Sequence, residues 1–240
     1  MRRFGPGMLV AAAFIGPGTV TTASIAGANF GFVLMWALLL SIIVTFVLQE
    51  MSSRLGIVSG LGLSEALRSS INNHFLKAFL MILIVSALGI GNAAFEVGNI
   101  TGAAIGLSQI SSLSISSSVL IVGILVLILL GTRIFKMLEQ ILTVLVVIMS
   151  LLFLLTMITI EIDYSKLLRG LLIPNATPSS LLTIMALIGT TVVPYNLFLH
   201  ADASKRKWKD QELNQALNNS RVDTAISVSY THLTLPTMEL

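Results

Sequence analysis

The chain has 240 residues, 55% hydrophobic and only 10% charged, with a mean hydropathy of +0.94. Soluble domains carry about 25% charged residues, so a water-soluble fold is excluded. There is no cysteine, which removes disulfides and thiolate metal ligands, and the net charge of +3 is explained below by where the basic residues fall.

Uncharged stretches cover Phe4–Gln49, Ala78–Phe95, Val97–Thr132, Gln140–Ile160 and Gly170–Leu199. A helical membrane span needs roughly 20 apolar residues, so the class is all-α integral membrane. Taken in order, the spans are expected at about 7–29, 32–55, 75–106, 115–132, 136–160 and 178–203. The opening MRRF before an apolar run imitates a signal peptide, but a second span follows within a few residues and no clean cleavage site is present. Ala28-Asn29-Phe30-Gly31 reads as a tight turn between the first two spans, and Ser108 to Ser118 as the third connection. Leu63-Ser64-Glu65 begins a short amphipathic segment. Pro174-Asn175-Ala176-Thr177-Pro178 reads as a loop before the sixth span.

The charges fix an orientation. With a cytoplasmic N-terminus, Arg2, Arg3, Arg54, Arg68, Lys77, Arg133, Lys136, Lys205, Arg206, Lys207, Lys209 and Arg221 lie inside, and only Lys166 and Arg169 outside. That follows the positive-inside bias. The KRKWK run at 205–209 is thus a topology anchor, and nucleic acid is not an expected partner; membrane lipid is.

Ser220-Arg221-Val222-Asp223 has the spacing of a capping box and is expected to open a seventh helix. The stretch VSYTHLTLPT (228–237) then turns polar, and it matches an in-frame translation of a sequencing-library adapter. The expected division is a membrane part at 1–227 and a non-native tail at 228–240, within a longer natural protein.

Two spans are interrupted. Gly16-Pro17-Gly18 breaks the first, and Pro194, five residues after Gly189, breaks the sixth. Proline removes a backbone donor and clashes with the preceding turn. Irregular backbone at membrane depth survives only when buried in protein or lining a cavity. Five-helix inverted repeats would make the first and sixth matching members of two halves, where paired breaks point to a transporter's substrate site; two unrelated structural kinks are the alternative.

The stretches GPGMLVAAAFIGPGTVTTASIAGANFGF, LQEMSSRLGIVSG, LRGLLIP, VVPYNLFLH and RVDTAIS resemble the natural-resistance-associated macrophage protein (NRAMP) family of metal-ion transporters, over residues 5–227. The resemblance implies a leucine-transporter-like fold, of which this chain holds the first five-helix repeat, the sixth helix and the start of the seventh. It implies alternating access and proton-linked import of divalent metals across a bacterial inner membrane. It also implies no bound cofactor beyond the transported cation and protons.

Substrate contacts are then expected at Gly16, Thr19, Thr190, Val193, Tyr195 and Asn196, around the breaks at Gly16, Pro17, Gly18 and Pro194. The family's Asp-Pro-Gly-Asn places its ligand Asp and Asn where this chain has Gly16 and Thr19, and its helix-six Met where this chain has Val193. Thr19, Thr22, Thr190, Thr191, Tyr195 and Asn196 are neutral oxygen donors, which suit a hard, partly hydrated ion such as magnesium better than a soft transition metal, with magnesium or manganese as the expected divalent cargo. The family's proton-relay carboxylates become Ala93 and Glu96, and one of its two histidines is kept as His200.

Glu96 is the one acidic residue deep in a predicted span, flanked by Asn92 and Asn99. Two roles stay open for it, proton carrier or interhelical hydrogen bond. The same pair of roles is open for His200, read as the end of the sixth span. Glu50 is expected to pair with Arg54, four residues on, and Glu139 with Lys136 and Arg133. No phosphate loop, nucleophile elbow or His/Glu metal pair occurs, so an enzyme is not expected. A same-fold carrier of a non-metal solute and a non-transporting membrane sensor are the competing readings.

Overall fold

In the computed structural model, residues 16–131, 162–234 and short helical pieces between 144 and 159 are described. The expected span at 136–160 and the Glu139 pairing lie mainly or wholly outside them.

Helix α1 runs Pro17–Phe30, with proline at its first position and Gly16 as an extended N-cap. Proline there gives up a donor that the first turn cannot use and supplies the right φ. Gly31 (φ 53) ends α1, and a 3-10 turn over Gly31–Leu34 leads into α2, Met35–Ser59. The expected tight turn is therefore present, and only glycine meets that φ without strain.

The amphipathic segment forms α3, Leu63–Ser70, whose Glu65 carboxylate accepts from the Gly62 N–H at 2.9 Å. Helix α4 (His74–Ser86) is capped by Asn73, continues through a π turn at Ala87–Gly91, and becomes α5, Asn92–Ser111. The expected connection from Ser108 to Ser118 is shorter than read. Helix α5 extends to Ser111, and α6 (Ile115–Gly131) starts after three residues, with Ser114 receiving the Ser117 N–H.

Helix α7, Tyr164–Leu172, was not expected at all; Asp163 caps it by accepting from Ser165 and Lys166 N–H, both at 3.1 Å. The sixth span is two helices, α8 (Leu181–Thr191) and α9 (Pro194–Lys207), with Val193 as the extended cap between them.

The seventh helix, α10, runs Leu213–Thr234. It opens seven residues before Ser220, so Ser220 is interior and not a cap. Its hydroxyl bonds the Ser53 hydroxyl and its carbonyl accepts from Thr224. Residues 228–234 continue the helix, because no glycine or proline interrupts the chain before Pro236.

The outward faces are apolar. No residue of α4 is buried, and Ile124, Leu127 and Leu130 of α6 are exposed. Pro17–Ser59, His74–Ser111 and Leu181–Lys207 are each long and apolar enough to cross a membrane. This is an all-α integral membrane fold.

The chain forms two compact units. One holds Ile15–Leu38 and Ala94–Thr190, the other Leu39–Ala93 and Thr191–Leu233. The first has a core of Ala26, Leu34, Met35, Leu38, Ile184 and Leu187, joining α1 and the start of α2 to α8. In the second, Gly56 passes against the carbonyl of Ala201, so α2 and α9 cross with no room for a Cβ. Small residues of this kind set close helix approaches in membranes.

Candidate functional site

The first unit gathers polar groups at the α1 break. Gly102 of α5 lies so close that a Cβ there would be 2.6 Å from the Pro17 carbonyl oxygen. This approach delivers Asn99 to the break. Its Oδ1 accepts from the Gly18 N–H at 3.2 Å, which satisfies one of the donors that the start of a helix leaves open. Its Nδ2 donates to the Glu96 carboxylate at 3.3 Å. The two partners fix the amide's orientation, because an N–H needs an oxygen and a carboxylate needs a donor.

Thr19 is buried and shares a proton with Thr190 across 2.8 Å between hydroxyls, tying α1 to the last turn of α8. That last turn carries the partial negative charge of a helix C-terminus. Thr22 donates to the Gly18 carbonyl and Thr21 to that of Pro17. A cleft of about 730 Å³ runs beside the break, lined by Gly16, Pro17, Thr21, Gly102 and Met149 among others. Its lining is largely apolar, and neither Thr19 nor Asn99 faces it.

The second unit holds the other expected residues. Val193 and Asn196 are buried at the start of α9, and Tyr195 lies between them. His200 sits in the interior of α9, seven residues before its end, and not at its terminus as read from sequence. It is 1% exposed, and its Nδ1 bonds Gln49 Oε1 of α2. With an oxygen as partner, Nδ1 carries the proton and Nε2 is left with its lone pair. Gln49 Nε2, His200 Nε2, Thr45 Oγ1 and both amide atoms of Asn196 are buried and have no hydrogen-bond partner. Thr45 and Gln49 are one turn apart on α2, as Asn196 and His200 are on α9.

Below this cluster Ser220 donates to Ser53, which donates to Ser204, and Ser52 donates to the Leu197 carbonyl. Glu50 pairs with Arg54 only at 3.9 Å, and meets Arg221 at 3.0 Å. Lys205 pairs with Glu65 at 3.4 Å. The Gly62 N–H first, and then Lys205, hold the Glu65 carboxyl below its ordinary value.

The sequence pattern named both members of the Thr19–Thr190 pair and His200, but not Asn99 as the partner of Gly18 nor Gln49 as that of His200. Asn99 lies 81 residues from Gly18, and Gln49 lies 151 from His200. Among the described residues no group of three or more His, Asp or Glu gathers as a metal cluster.

The profile described as "Natural resistance-associated macrophage protein-like" matches residues 7–236. The chain belongs to the NRAMP family. It is 31% identical over 206 residues to the divalent metal cation transporter MntH of Verminephrobacter eiseniae, covering 85% of this chain and 46% of that one. To the MntH of Latilactobacillus sakei it is 30% identical over 239 residues, covering 95% and 51%. Among solved structures, the manganese transporter of Eremococcus coleocola in complex with an aromatic bis-isothiourea substituted compound matches with a TM-score of 0.71. Identity there is 26%, covering 98% of this chain and 50% of that one. This NRAMP chain thus spans about half the length of these relatives.

Proposed function

We propose that this NRAMP chain is part of a secondary transporter of divalent metal cations. It works by alternating access around its two broken helices in a bacterial inner membrane, with the N-terminus cytoplasmic. The observation that carries this reading is the α1 break. Asn99 accepts from the Gly18 N–H at the start of α1, and a buried Thr19–Thr190 hydroxyl pair lies beside it, near the negative end of α8. Neutral, hard oxygen donors favour a cation that keeps part of its water, magnesium before manganese. Glu96 and His200 are the groups on which proton coupling would rest.

The test is uptake of magnesium and manganese by the full-length protein in proteoliposomes. Saturable uptake of either ion is expected, with its pH dependence removed by Glu96→Gln. Absence of uptake and of binding heat for both ions would overturn the cation reading. The absence of any carboxylate from the Thr19–Thr190 pair favours one second reading, an uncharged polar solute carried by the same fold. Uptake of such a solute without metal competition would establish it.

A further inference from the structure

Gly16 carries no side chain, yet the space beside it is not empty. An ideal Cβ built on Gly16 would stand 2.5 Å from Asn99 Oδ1, closer than real Cβ contacts come, and 3.2 Å from its Cγ. The same oxygen lies 3.1 Å from a Cβ position on Gly18. Asn99 is locked there from both ends, by the Gly18 N–H on its oxygen and by the Glu96 carboxylate on its nitrogen.

We infer that Asn99 is the specificity-determining residue of the α1 break: its amide fills the space of a side chain at position 16, so that a cation there meets a neutral oxygen from α5 and not a carboxylate from α1. This rests on the transport-site reading above. A side chain at 16 and the Asn99 amide in this position exclude each other sterically, and moving the amide aside breaks its bonds to the Gly18 N–H and to Glu96. The electrostatic consequence follows. An amide oxygen offers a dipole where a carboxylate offers a full charge, so a dication bound at the break keeps more of its hydration shell. Selection then falls on ions that hold water tightly, and preference for manganese over magnesium is lost. Regaining that preference takes two changes: a carboxylate at 16, and removal of the amide that occupies its place.

Four forms of the full-length protein decide this: the natural sequence, Gly16→Asp, Asn99→Gly and the double variant, each titrated calorimetrically with manganese and with magnesium. Gly16→Asp alone is expected to change manganese affinity by less than about threefold, and the double variant to raise it on the order of tenfold or more. Equal gains in the single and double variants would overturn the proposal, because Asn99 would then not be in the way. So would a double variant with no gain while the natural form binds. If none of the four forms binds either ion, the cation-site reading fails and the specificity role fails with it.

The steric claim is checked without any ion by thermal unfolding. Gly16→Ala should lower the midpoint in the Asn99 background and leave it within about a degree in the Asn99→Gly background. Equal drops in both backgrounds would overturn the placement of the Asn99 amide.

Discussion

The polar centres of the two units are built from similar materials and end in opposite states. At the α1 break the Gly18 N–H, both ends of the Asn99 amide and the Thr19 and Thr190 hydroxyls are all partnered. In the second unit one bond, His200 to Gln49, stands among five buried atoms that have none. A buried polar atom without a partner costs about 1–3 kcal/mol, so protein–protein bonds alone do not stabilise the second centre. They do stabilise the first, where each group relieves another. The contrast separates a centre whose polar groups orient one another from one in which the protein supplies few of the partners.

The largest effect is expected from attacking the satisfied centre. Asn99→Leu strands the Gly18 N–H and removes the amide from Glu96, and should lower unfolding stability in detergent by about 1–3 kcal/mol. The matched change in the other centre, Asn196→Leu, removes two orphaned atoms at similar volume. It should leave stability unchanged or raise it by up to about 2 kcal/mol, while uptake is lost. Equal destabilisation by the two variants, read from the same unfolding measurement, would erase the distinction between the centres.

The smallest effect belongs to an exposed pair in the second unit. Glu65 has its carboxyl lowered by the Gly62 N–H and by Lys205. Its contribution is therefore fully present above the ordinary value of 4.5 and is lost as pH falls through the lower folded-state value. Hydrogen exchange at the start of α3 should speed up over that window in the natural protein. With Glu65→Gln the same amides should show little pH response beyond that of exchange chemistry itself. An identical profile in both forms would show that the cap contributes nothing at the surface.

Much of the architecture was legible because it is written locally. Pro17 marks the start of α1, Pro194 the interruption of the sixth span, Gly31 the first turn, and Leu63-Ser64-Glu65 an amphipathic helix. What escaped was of two kinds. Helix α7 depends on an Asp163 cap in a short, mixed segment that no membrane-length pattern detects. The start of α10 was misplaced because Ser220 and Asp223 imitate a cap, although Ser220 is committed to Ser53 across the packed helices. The partners of the site residues escaped for a different reason: a side chain 81 or 151 residues away leaves no periodic trace. Asn99 was visible as a neighbour of Glu96, but its reach to Gly18 depends on the close approach at Gly102.

The serine row joining α2, α9 and α10 has a mechanical consequence. A serine hydroxyl sits on one rotatable bond and reaches barely beyond its own backbone, so a bond such as Ser53 to Ser204 at 2.7 Å tolerates little sliding. Moving one of these helices along its axis by a single residue, about 1.5 Å, would break the row. A long lysine or glutamate in the same place would stretch and follow. The three helices therefore transmit an axial push among themselves as a stiff beam does, and compliance must come from the segments at their ends.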